Sequence, residues 1–155
     1  MKIGFTGNRQ GFTSAQNKTM GKIFTSLSAQ VEEAHHGDCV GSDLDFHFFV
    51  RNNLKGSVQI VVHPPINSKL RAFCPGDKIL DQKEYLIRNK DIVDQADLII
   101  ATPAEFKEKI RSGTWSTIRT ARRCKKPLII VFPNGKMQIE RGSTVKSSMN
   151  KLEGK

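Results

Sequence analysis

Short runs that are apolar nearly throughout constrain this fold more than any other feature. Val58-Gln59-Ile60-Val61-Val62, Asp97-Leu98-Ile99-Ile100-Ala101 and Leu128-Ile129-Ile130-Val131-Phe132 show little polar alternation. A strand with one face in water would alternate, so these belong to a sheet covered on both faces, which means a parallel one. Lys2-Ile3-Gly4-Phe5-Thr6 is a fourth such run, and Ala34-His35-His36 is a shorter fifth candidate. Between them lie segments of helical period: Met20, Ile23, Phe24, Leu27 and Val31 in one, Leu86, Asn89, Ile92, Val93 and Ala96 in another. Strands alternating with helices predict a doubly wound α/β fold with about five mainly parallel strands flanked by helices.

Boundary signals agree. Thr13 with Gln16 and Asp81 with Glu84 have capping-box spacing, while Ser42 or Asp43 is placed to cap a helix running through Arg51. His63-Pro64-Pro65 stops the third strand because proline cannot donate to a sheet ladder. Residues 66–80, with Pro75-Gly76 and little period, read as a long surface loop. Pro133-Asn134-Gly135 closes the last strand, so residues 1–135 read as a single domain and residues 136–155 as a basic C-terminal extension. A chain of 155 residues suits one domain of this kind.

The apolar runs are far below the ~20 residues that span a bilayer, and no signal peptide precedes the first strand, so a cytoplasmic protein without membrane contact is expected. Three separated cysteines, Cys39, Cys74 and Cys124, fit reduced thiols. The net charge of +10 favours anionic partners: small metabolites, or nucleic acid. With Trp115 and Tyr85 the only tryptophan and tyrosine, aromatic groups for base stacking are scarce, which places nucleic acid second.

Ligands of open parallel sheets bind beyond the carboxyl ends of the strands, where loops part and helix N-termini point into the crevice. Three loops there are rich in glycine and hydroxyl groups. Ser112-Gly113-Thr114-Trp115 opens a helix, and its first amides could hold a phosphate while Trp115 stacks on a base or braces the loop. Thr6-Gly7-Asn8-Arg9 adds a guanidinium, and Gly41-Ser42-Asp43 repeats the pattern. Asp38 or Asp43 could accept ribose hydroxyls, and Thr102 ends the strand beside them. Each feature also has a purely structural reading as a tight turn, a helix cap or a core residue. His35, His36, Asp38 and Cys39 are potential metal ligands, but neighbours on a strand point to opposite faces, so no metal site and no cofactor is expected.

In their order along residues 2–135, Gly4-Phe5-Thr6-Gly7-Asn8-Arg9, His36-Gly37-Asp38-Cys39-Val40-Gly41-Ser42-Asp43, Arg88-Asn89 ahead of Ala96-Asp97-Leu98-Ile99-Ile100-Ala101, and Ser112-Gly113-Thr114-Trp115-Ser116-Thr117 form a set. This set resembles the SLOG superfamily, which includes LOG-like cytokinin-activating proteins, the DNA-processing protein DprA and many Rossmann-like proteins of bacteria and phages. The resemblance implies a Rossmann-like fold, a nucleotide or nucleotide-derived ligand with its phosphate on the Gly-Thr loop, Arg88 and Asn89 near that ligand, and a homo-oligomer. LOG-type phosphoribohydrolases carry a glutamate where this chain has Thr117. A threonine cannot stabilise a cationic sugar, so capture of a ligand, for sensing or sequestration, is favoured over cleavage. N-glycosidase, phosphoribohydrolase or deoxyribosyltransferase activity would need Asp38, Asp43 or Glu105 in that role, and single-stranded nucleic-acid binding is a further alternative.

Overall fold

A computed structural model describes residues 1–54 and 56–142. The strands are β1 (Lys2–Gly7), β2 (Glu33–His36), β3 (Gln59–Val62), β4 (Lys78–Ile79), β5 (Leu98–Thr102), β6 (Leu128–Val131) and β7 (Met137–Glu140). The α-helices are α1 (Ser14–Leu27), α2 (Ser42–Asn53), α3 (Tyr85–Gln95) and α4 (Gly113–Arg123). One sheet runs in the order β4-β3-β2-β1-β5-β6-β7, parallel throughout except that β7 lies antiparallel on β6.

The period of two within the central strands explains their unbroken apolar sequence. Leu98 and Ile100 of β5, with Ile129 and Val131 of β6, face a core built with Met20, Ile23 and Phe24 of α1 and Phe46 and Val50 of α2. Ile99, Ala101, Leu128 and Ile130 face the opposite way, onto Val93 of α3 and Trp115, Ile118 and Ala121 of α4. Both faces are therefore dry, which is the condition that removes alternation from a strand. Phe5 stacks flat on Phe46 with centroids 4.3 Å apart, fixing α2 against β1. At Gly4 a Cβ would stand 2.8 Å from Ile99 and 2.9 Å from Ala96, so the missing side chain lets α3 seat close to the sheet.

Seven strands stand where five were expected. β4 is two exposed residues inside the 66–80 stretch, too short to carry a period, and a 3-10 turn at Ser68–Leu70 lies in the same stretch. β7 places residues 137–140 on the sheet edge, beyond residue 135; the remainder of the expected extension, from 143 to 155, lies outside the described residues. The Thr13–Gln16 capping box forms with both bonds at 3.0 Å. The other two capping expectations need correction. The N-cap of α3 is Glu84 without a side-chain bond, and α2 is entered through Gly41, again without one, and continues to Asn53. Gly41 has φ of 94°, and a Cβ there would collide with the Arg9 backbone, so close loop packing rather than a side-chain cap sets this helix start. The inward face of α3 is also shifted: Arg88, Asn89, Ile92 and Val93 are buried while Leu86 is exposed.

Among the described residues no helix is long and apolar enough to cross a membrane.

Candidate functional site

The chain leaves β1 toward β2 on one side and returns on the other as β5, so the loops after these adjacent strands part at the carboxyl edge of the sheet. A cavity of about 340 Å³ opens at this switch point. It is lined by Thr6 and Gly7 at the end of β1 and Asn8 and Arg9 after it, by Asp43 of α2, by Arg88 and Asn89 of α3, and by the cap Ser112 with Gly113 and Thr114 at the start of α4. These ten of the fifteen residues singled out in the sequence thus meet in one place.

The other five do not line it. Asp38 is wholly buried beneath the site: its carboxylate accepts from Arg71 Nε at 2.7 Å and from the Cys74 amide at 2.8 Å, tying down the segment before β4. Gly41 backs onto Arg9, as described above. Ser42 and Thr102 are buried on either side of Gly7, and among the described residues neither hydroxyl has a hydrogen-bond partner. Trp115 is 3% exposed in the α3–α4 core, so its ring braces rather than faces the cavity. Its Nε1 donates to Glu105 Oε1 at 2.9 Å, which orients that carboxylate at the cavity wall.

The polar groups of the rim are held by the backbone. Asn8 Nδ2 donates to the Thr102 carbonyl at 3.0 Å, and the Asn8 side chain accepts the Gln10 amide at 2.8 Å, which shapes the turn that carries Arg9. Arg88 is 4% exposed. It donates to the carbonyls of Gly37 and His63 and, through Nε, to Asn89 Oδ1 at 2.9 Å. Its charge also faces Asp43, whose carboxylate accepts the Cys39 amide at 3.1 Å. Burial lifts the Asp43 carboxyl to about 6, against the lowering effect of Arg88, so it is mainly ionised at neutral pH. Cys39 shares this wall, its thiol pushed up by burial and by Asp43.

At the start of α4 the arrangement differs. Ser112 Oγ caps the Trp115 amide at 3.2 Å. The Gly113 and Thr114 amides, which precede any intrahelical acceptor, have no protein acceptor among the described residues. Thr114 is 5% exposed, and its hydroxyl has no partner among them either. Thr117, at the position of the LOG glutamate, lines the cavity but turns its hydroxyl to the Gly113 carbonyl at 3.1 Å. Lys109 and Arg111 add positive charge to the rim.

Tyr85 also lines the cavity, although the sequence did not single it out for the site. It lies three residues before Arg88 and four before Asn89, so helical spacing would have placed all three together once Arg88 was singled out.

The histidines separate as strand geometry requires. His35 Nδ1 meets His63 Nε2 at 2.8 Å, whereas His36 Nε2 meets His47 Nδ1 at 3.0 Å on the other face. His36, His47 and Cys74 bring one potential ligand atom each within 4.8 Å of one another. The Asp38 amide, however, donates to His36 Nδ1 at 2.9 Å, which puts the proton of neutral His36 on Nε2, toward His47. In this tautomer His36 offers a cation no lone pair.

No family model matches the chain, and no curated protein does. Two solved structures share its fold. The molybdenum cofactor binding protein from the phototrophic bacterium Rippkaea orientalis aligns with a TM-score of 0.64 at 18% identity, covering 84% of this chain and 76% of that one. The structural-genomics target TM1055 aligns with a TM-score of 0.57 at 16% identity, covering 82% and 71%. At such identity the likeness extends to the fold: a Rossmann-like sheet of mainly parallel strands with helices on both faces.

Proposed function

We propose that this protein binds a nucleotide or nucleotide-derived ligand in the switch-point cavity, with an anionic group on the Gly113 and Thr114 amides. One observation carries this reading: an eleven-residue helix points open first-turn amides into a cavity that also holds Arg9, Arg88, Lys109 and Arg111. The positive end of a helix and unpaired N–H groups together make an anion site, and the glycine allows close approach. The volume lies at the small end of the ~300–1000 Å³ usual for small-molecule sites. In this reading Asp43, on the wall of the same cavity, accepts hydroxyl groups of a sugar. Further support comes from the ordered motifs that resemble the SLOG superfamily, and from a fold neighbour described as cofactor-binding.

Capture rather than cleavage follows from Thr117, which supplies no charge. Calorimetry against a panel of nucleotides, ADP-ribose derivatives and cyclic dinucleotides tests the proposal; it expects saturable binding of at least one, and heat from none of them contradicts it. A second reading, scission of an N-glycosidic bond, is favoured by the carboxylates of Asp43 and Glu105 on the cavity wall. Chromatography for free base released from nucleoside monophosphates separates the two.

A further inference from the structure

From the contact between Tyr85 and Gly113 we infer that Tyr85 is a specificity residue, its phenol hydroxyl donating to the anion held at the start of α4. This rests on the nucleotide-binding reading above and adds a discriminating group to it. Tyr85 is the first residue of α3, and its side chain crosses to the neighbouring helix: a Cβ built on Gly113 would collide with the Tyr85 hydroxyl. The phenol oxygen therefore stands beside Gly113, the residue that carries the first open amide, on the wall of the cavity. Among the described residues it has no hydrogen-bond partner. The Thr114 hydroxyl, on a residue 5% exposed and lining the same cavity, is unpartnered in the same way. Two amides and two hydroxyls are thus four donors on residues of one cavity wall, a set that a phosphate with its several acceptor oxygens and negative charge satisfies more fully than a neutral sugar or base.

The ring is held for this task. Arg88 lies 5.9 Å from its centroid, and Arg88 is itself fixed on the Gly37 and His63 carbonyls. Tyr85 remains 39% exposed, so the core does not depend on its hydroxyl. At this position Gly113 serves two contacts at once, since any side chain there would expel the phenol as well as shield the amides.

The experiment is calorimetric titration of wild type and Y85F with inorganic phosphate, the four ribonucleoside 5′-monophosphates and the matching nucleosides. Thermal unfolding controls for the fold. The expected result is a loss of about fivefold in affinity for phosphate and for each nucleotide that wild type binds, the size of one hydrogen bond, with nucleoside affinity unchanged. Y85L should lose no less than Y85F for phosphate. Wild-type affinity of Y85F for nucleotides, or an equal loss for nucleosides, overturns the assignment of Tyr85 and leaves nucleotide binding standing. Absence of binding to wild type itself overturns both.

Discussion

Two helices begin at the same edge of the sheet, and their first turns are used differently. At α2 the Ser42 amide already donates to the Asn8 carbonyl at 2.9 Å, and Asp43 and Asp45 lie in the first turn. The first amide thus has an acceptor from the protein itself, and two carboxylates lie in the turn at that helix's positive end. At α4 there is no acidic residue in the first turn, and only the Trp115 amide is capped. Both starts look alike in sequence, as glycine beside a hydroxyl residue. What separates them is the first amide: that of Ser42 meets the Asn8 carbonyl of the neighbouring loop, whereas that of Gly113 has no acceptor among the described residues and takes one from a ligand in the reading proposed above.

On this contrast, glycine substitutions at the two starts should fail in different ways. Gly41→Ala forces a side chain into a backbone conformation favoured by glycine and against Arg9, so chemical denaturation should report a loss of about 3 kcal/mol. Next in size is Asp43. Its folded-state pKa of about 6 lies above the ordinary 3.8, so the unfolded chain releases this proton first as pH rises. The group's contribution to stability is therefore intact below about pH 4 and lost as pH climbs through 6. Asp43→Asn should flatten that part of the stability profile, since the titrating group is gone. A profile unchanged by the substitution would mean that Asp43 is not the buried acid of α2.

At α4 the effects should fall on binding instead. Gly113→Ala puts a methyl group against the end of a movable side chain in a helical position, so stability should change by less than about 0.5 kcal/mol. Nucleotide affinity should nevertheless fall about tenfold, through shielded amides and a displaced Tyr85. Smaller still, the roughly fivefold loss expected of Y85F would divide the anion site between backbone and phenol. Equal stability losses from the alanines at 41 and 113 would abolish the distinction between the two starts.

The parallel core was legible because burial on both faces leaves a direct mark: Ile99 and Ile100 point to opposite faces and are both apolar. β4 and β7 were not, since two exposed residues carry no period and Met137–Glu140 is a partly exposed edge with mixed polarity. The candidate site was legible as loops at strand ends, and ten of its residues line one cavity. Side-chain direction was not. Asp38 and Asp43 sit five residues apart in one loop and helix start, yet one is spent on Arg71 and the other faces the cavity. Trp115 follows Gly113-Thr114 in sequence, but helical geometry turns it into the core. Tyr85 lay on a helix whose buried face had been placed through Leu86, an offset of one residue that hid it.

The most direct measurement compares the two helix starts in a single ¹H–¹⁵N spectrum, titrated first with a nucleoside 5′-monophosphate that calorimetry identifies and then with its nucleoside. The account predicts that the nucleotide shifts the amides of Gly113 and Thr114 strongly and that of Ser42 weakly, and that the nucleoside leaves Gly113 and Thr114 largely unmoved. Strong shifts at Ser42 with Gly113 and Thr114 unmoved would contradict it.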